Sequence, residues 1–390
     1  MLSLVLVVVM SIGAAPVPAP KPVAKNVVLF LADAGGISVM AAASLHAHGA
    51  PNKLYMQREM TNVGLSDTST ASQIVSDSAA GMTAIVTGQR THNGVIAQSA
   101  ATVRGKQDGD ALKTILEYAE EHGLSTGVIS NDSLSGATPA STYAHVNDRG
   151  KTAEIFQQAF APKFGDGVDV MIGSGRPGIV KALAATNETL DTVAARVGRP
   201  ILSTLDEVPA DATRTIVLFE DSEFDVEAAV RTAHRILSKN KKGYFLMVEV
   251  DTHTDHVRRG IDHMVVMDKV IEKTASLVGR DTLLVLTADH SFDLQLRSGL
   301  LATPLLDGLD EAETKARAEK NPTLRTSSLR MENSHTGEPV LVAAKGPGAE
   351  RVRGFMLNTD IFNVMMQAYG WKPTPPGAQA PARPRAVTNQ

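Results

Sequence analysis

Between residues 249 and 256 the chain reads EVDTHTDH, so Glu249, Asp251, His253, Asp255 and His256 place five carboxylates or imidazoles in eight positions. A second pair, Asp289–His290, follows the apolar run 282–288 (TLLVLTA). Asp33 follows another run, 26–32 (NVVLFLA), and His335 lies just before a third, 339–344 (PVLVAA). Such groups are costly at apolar strand ends without partners. Oxygen and imidazole donors without sulfur suit Zn²⁺ or another divalent ion at a hydrolytic centre. The chain has no Cys, which excludes thiolate zinc sites, iron–sulfur clusters, disulfides and Cys nucleophiles. Plainer readings stand beside these. EVDTHTDH also suits a solvated acidic turn opening a helix at 257, and His290 a core histidine satisfied by hydrogen bonds.

Ser78, in VSDSAAGMTAIVTG, sits at or just before a helical stretch. Backbone N–H groups and the helix dipole favour an anion there. A metal-activated hydroxyl in that place can attack phosphorus. The plainer reading is that Ser78 is an N-cap. No G-x-S-x-G elbow is present. Gly173 to Gly178 matches G-x-G-x-x-G after a strand, but Pro177 and the lack of an acidic residue ending the next strand favour a tight loop over a dinucleotide site.

The elements that must position these groups follow from apolar runs. Strands are expected at 26–32, 126–130, 168–172, 215–219, 244–249, 282–288 and 339–344. Helical patterns occupy 110–121, 150–160, 223–239, 257–278 and 359–369. This alternation predicts an α/β fold with a largely parallel sheet. Ligands then bind outside the carboxyl ends of the strands, where most of the residues above lie. Residues 292–333 are largely polar and read as a surface insertion.

The 390 residues carry 43% hydrophobic and 21% charged side chains, enough for an ordinary core without metal staples. A net charge of −4 argues against nucleic acid as a dedicated partner. The apolar run 2–14 is short for a membrane span and leads into Ala/Pro-rich sequence, as a secretory signal does, although it lacks Lys and Arg. Its alternative is a buried first strand. The division expected is a leader at 1–23, a catalytic domain at 24–371 and a Pro-rich disordered tail at 372–390. Export to the periplasm or outside the cell follows, with no membrane span in the mature chain.

Six segments together resemble the alkaline phosphatase family, in the family's order: LFLADAGG, VSDSAAGMTAIVTG, ATPASTYAHVNDR, FLMVE, LVLTADHS and HTGEPVLVAAKGPGA. The resemblance runs from about Lys25 to Trp371. It implies a three-layer α/β sandwich around a large, mostly parallel central sheet. It also implies hydrolysis of small phosphate monoesters with two Zn²⁺ and a third ion, usually Mg²⁺. By position, Ser78 resembles the nucleophile that becomes phosphorylated, and Arg149 the phosphate clamp. Asp33, Asp289 and His290 resemble ligands of the second zinc, with Asp33 also near the third metal. His335 resembles a ligand of the first zinc, and Thr138 and Glu249 ligands of the third metal. The chain departs from the family at Gly136, where a carboxylate or His is usual, which weakens the third site. It departs again in EVDTHTDH, which is compressed. Asp251 with His253 is the favoured reading there, and Asp251 with Asp255, spaced i, i+4 on a helical turn, is the alternative. Members of such families are often dimers, so a homodimer is compatible with the chain. A phosphodiesterase of the same superfamily, or a non-catalytic phosphate- or metal-binding protein, are the competing functions.

Overall fold

The computed structural model describes residues 23–301, 303–320 and 323–372. The expected leader, apart from Val23, and the tail beyond Lys372 lie outside these residues. Among the described residues, thirteen strands form two sheets. In chain order they are β1 (Asn26–Asp33), β2 (Asn62–Ser66), β3 (Ser125–Ser133), β4 (Val170–Ser174), β5 (Ile201–Leu202), β6 (Thr215–Leu218) and β7 (Tyr244–Asp251). They continue with β8 (Thr282–Thr287), β9 (Ser291–Leu296), β10 (Thr323–Arg325), β11 (Leu329–Thr336), β12 (Val340–Lys345) and β13 (Gly354–Met356).

Ten of them make the central sheet, in the order β13-β2-β12-β8-β1-β7-β3-β4-β6-β5. Every neighbouring pair is parallel except the two made by β12. All eight residues of β1 are buried, as a strand flanked on both sides and covered on both faces requires. Its alternate side chains divide between two cores. Val27, Leu29 and Leu31 pack with residues of the helices Ser78–Thr87, Ile115–Glu121 and Asn358–Ala368. Val28, Phe30 and Ala32 pack with residues of the helices Ile37–His48, Val226–Leu237 and Val257–Leu277. Helix, sheet and helix thus form the three layers expected.

The expected strands appear, each within a few residues of its run. The polar segment 292–333 is more than surface loop. It contains most of a three-stranded antiparallel sheet, β10-β11-β9, and the helix Leu309–Ala318. The strand β11 runs on to Thr336 and so carries His335 itself. The G-x-G-x-x-G segment also differs from expectation. A helix opens at Arg176 directly after β4, with Pro177 in its first turn, where proline lacks no bond that the helix needs. Gly175 adopts φ 99°, and a side chain there would meet Ser133 Oγ, so the loop is shaped by packing.

Candidate metal centre and active site

The carboxyl ends of β1, β7 and β8 lie side by side, with Asp33 opposite Asp251 in register. Asp33 ends β1, and the chain then turns through Ala34 at φ 61°. The Ala34 N–H donates to Asp289 Oδ1 at 3.2 Å, which ties the two acidic ends together. Ser78 is not the N-cap. Asp77 takes that role, its Oδ1 accepting from Ala80 N at 3.0 Å. Ser78 is therefore the first helical residue, and its hydroxyl faces Asp33 (3.4 and 3.5 Å) and His290 Nε2 (3.4 Å). The helix comes close because residue 81 is glycine, where a Cβ would lie 2.5 Å from Asp289 O.

Two sets of ligand atoms converge: His253, His290 and His335, and Asp33, Asp289 and His290, each within 4.8 Å. His253 Nε2 lies 3.3 Å from His335 Nε2, and the rings of His290 and His335 stack at 3.8 Å. Thr138 Oγ1 donates to Asp33 Oδ2 at 3.4 Å. Glu249 is fully buried beside them, with Oε2 bonded by the Ser130 hydroxyl and Oε1 unpartnered. Arg149 is held next to Ser78 through Asp77, whose Oδ2 accepts from Arg149 Nη1 at 3.1 Å and from Gly94 N at 2.8 Å.

Asp251 stands one step behind these sets. Its Oδ1 bonds His253 Nδ1 at 2.7 Å, and its Oδ2 accepts from Arg259 Nη2 at 3.0 Å. Asp255 does not join them. It is exposed, and its carboxylate accepts from the His256 N–H just before the helix Val257–Leu277. This is the acidic helix opening, and it removes the pairing of Asp251 with Asp255. Asp251 ends a strand, so the two never share a helical turn. His256 is exposed as well.

The electrostatics call for cations. Burial, then the charge of Asp289, pushes Asp33 up to about 6. Burial, then Asp33 and Asp132, pushes Glu249 well above the carboxylate range. Burial also raises Asp289. Burial alone would lower His253, but Asp33 and Asp251 hold it up at about 9. Burial, then His290, drives His335 down to about 4, leaving its imidazole neutral with a lone pair to give. Among the described residues, the buried carboxylate oxygens without a hydrogen-bond partner are Glu249 Oε1 and Asp289 Oδ2. Buried acids that repel one another and keep unused oxygens, next to the neutral imidazole of His335, fit divalent ions.

An alkaline phosphatase family model matches residues 24–201 and 220–300. The chain belongs to the alkaline phosphatase family. Tissue-nonspecific alkaline phosphatase of Rattus norvegicus is 27% identical over 441 aligned residues, covering 89% of this chain and 84% of the relative. Streptomycin-6-phosphate phosphatase of Streptomyces griseus is 28% identical, covering 90% and 91%. Alkaline phosphatase of Escherichia coli K12 is 28% identical, covering 90% and 87%. The Thermus thermophilus alkaline phosphatase structure superposes with a TM-score of 0.74 at 20% identity, covering 90% of this chain and 93% of that one. A variant of the TAB5 alkaline phosphatase with Mg bound in its M3 site superposes with a TM-score of 0.73 at 24% identity, covering 90% and 100%. Membership makes this chain an alkaline phosphatase, a hydrolase of a metal-binding family. Among the described residues no helix is long and apolar enough to cross a membrane.

The sequence reading passed over several residues that hold the site in place. Asp77, Ser130 and Arg259 fix Arg149, Glu249 and Asp251. Ser130 and Asp132 lie at the end of β3, where the rule of inspecting strand ends would have found them.

Proposed function

We propose that this protein hydrolyses phosphate monoesters through a phosphoserine on Ser78, with divalent cations at the two convergent sets. The observation that carries this is the Ser78 hydroxyl within 3.5 Å of both Asp33 and His290, at a helix N-terminus. Asp33, Asp289 and His290 would hold one Zn²⁺, and His253 and His335 the other, with Asp251 orienting His253 through Nδ1. A third ion, Mg²⁺, would lie by Glu249, Thr138 and Asp33. Bound ions of this kind offset charge, lower hydroxyl and water pKa values and polarise phosphoryl oxygens.

Ser78 passes its proton to solvent water and its Oγ attacks phosphorus in line. The Oγ–P bond forms as the bond to the leaving oxygen breaks, and that oxygen takes a proton from water. The Arg149 fork binds two non-bridging oxygens, and N–H groups at the start of the helix support the same charge. Water then attacks the phosphoserine, releasing inorganic phosphate and returning a proton to Ser78. The catalytic domain at 24–371, export of the chain and a homodimer belong to the same reading.

The test is turnover of a chromogenic monoester before and after chelation, with Zn²⁺ and Mg²⁺ restored separately and together. Loss on chelation and recovery with Zn²⁺ is expected. Faster turnover of a diester than of the monoester would point to a phosphodiesterase. Metal-dependent phosphate binding without turnover would point to a binding protein.

A further inference from the structure

Gly136 leaves the third site without the side chain usual in the family, yet a carboxylate is present there from another position. We propose that Asp132 takes the place of the side chain absent at 136 and completes, with Glu249, Thr138 and Asp33, a divalent-cation site. A Cβ built on Gly136 would lie 2.9 Å from Asp132 Oδ2. The same Cβ would lie 2.8 Å from Ser133 O, so the backbone here closes out a side chain at 136.

The end of β3 is bent to this purpose. Its pairing with β4 is regular to Ser130↔Gly173 and resumes at Ser133↔Ser174, so Asn131 and Asp132 are bulged out. Bulges re-aim side chains, often beside active sites. This one is pinned. Asp132 N donates to Ser130 Oγ at 3.1 Å, and the Ser174 hydroxyl donates to the carbonyls of Asn131 and Asp132. Ser130 also donates to Glu249, so one hydroxyl links the bulge to the buried acid.

An acidic cluster alone would not make a site. The independent observation is Glu249, which has no solvent exposure and whose Oε1 has no hydrogen-bond partner. Asp132 itself is exposed, so the group that completes the site is also the one that can admit a hydrated ion. A hard carboxylate and hydroxyl set without imidazole at that point suits Mg²⁺, which keeps several waters.

This inference rests on the metal-dependent reading above, and the test separates the two. The protein is stripped with chelator and reloaded with Zn²⁺. MgCl₂ is then titrated by calorimetry and by thermal shift, for the unaltered chain, for Asp132→Asn and for the exposed control Asp262→Asn. The expected result is Mg²⁺ binding that weakens roughly 10–100-fold in Asp132→Asn and stays unchanged in the control. Zinc content should be equal in all three, which also reports that the variants fold. Equal Mg²⁺ affinity in Asp132→Asn and the unaltered chain would overturn the inference, as would the absence of Mg²⁺ binding by the unaltered chain. Failure of every form to take up zinc would instead sink the reading beneath it.

Discussion

The chain buries acids at both ends of β3, and the two groups are built differently. At the amino end, Glu120 is 8% exposed and fully bonded. Its Oε1 accepts from Thr126 Oγ1 at 3.1 Å, and its Oε2 from the N–H groups of Asp166 and Gly167 at 2.8 and 3.0 Å. Nearby, Glu117 pairs with His145 at 2.8 Å and accepts from Thr114 N at 2.9 Å, while the other ring nitrogen of His145 bonds Ala97 O. At the carboxyl end, Asp33, Glu249 and Asp289 crowd together, and two of the three keep an oxygen without a partner. Burial raises the carboxyl pKa in both places, so burial does not separate them. Satisfaction does. The bonds of Glu120 all close within the protein, as those of a structural acid do, whereas the unused buried oxygens of Glu249 and Asp289 are groups that a bound ion would satisfy.

The comparison breaks most readily at the carboxyl end. Ser78→Ala should cost roughly 10⁴-fold or more in kcat, because no second hydroxyl takes over the attack. Steady-state kinetics with a chromogenic monoester measures this, and near-normal turnover would remove Ser78 from the chemistry. Arg149→Ala should cost less. It deletes charged hydrogen bonds worth about 1.5–3 kcal/mol, so kcat/KM should fall about 10–100-fold. Asp77 keeps Ala80 N and Gly94 N as partners, so the Ser78 helix stays capped and the thermal midpoint should move little. A collapse of folding in Arg149→Ala would mean that Arg149 serves the cap and not the phosphate.

Much of this was legible in the sequence, for identifiable reasons. The central strands are buried on both faces and so write themselves as unbroken apolar runs, as in NVVLFLA. Acids and imidazoles at the ends of such runs are costly unless partnered, and Asp33, Glu249, Asp289 and His290 stood out for that reason. Exposed strands left no such trace. The strand β11, reading LRMENSHT, has only two buried residues, so the strand that carries His335 reads as polar loop. The sequence favoured Asp251 with His253 but left the pairing of Asp251 with Asp255 open. Four residues apart, they separate only because β7 ends at Asp251 before the next helix starts at Val257. The role of Asp132 depends on a bulge, and a bulge is a mismatch between two strands that neither strand shows alone.

The smallest expected effect sharpens the other side of the comparison. Burial, only partly offset by the Gly167 N–H, pushes Glu120 up to about 8 from an ordinary value of 4.5. A carboxyl whose folded pKa is raised stabilises the fold fully at pH values below its unfolded pKa. That contribution is lost as pH rises through the folded pKa. The unaltered chain should therefore lose stability from this group between about pH 4.5 and pH 8, with no further loss above the folded pKa. Glu120→Gln keeps the shape of the protonated acid. Its amide oxygen can accept from Asp166 and Gly167, and its NH₂ can donate to Thr126. Calorimetric midpoints of the two proteins should agree at pH 5, and the variant should lie higher by a few °C at pH 9. Turnover should be unchanged, since Glu120 lies at the far end of the strand from Ser78. A midpoint difference that does not widen with pH would mean that Glu120 stays ionised in the fold. A fall in turnover would mean that the two ends of β3 are coupled, and that satisfied and unsatisfied acids do not divide structure from chemistry here.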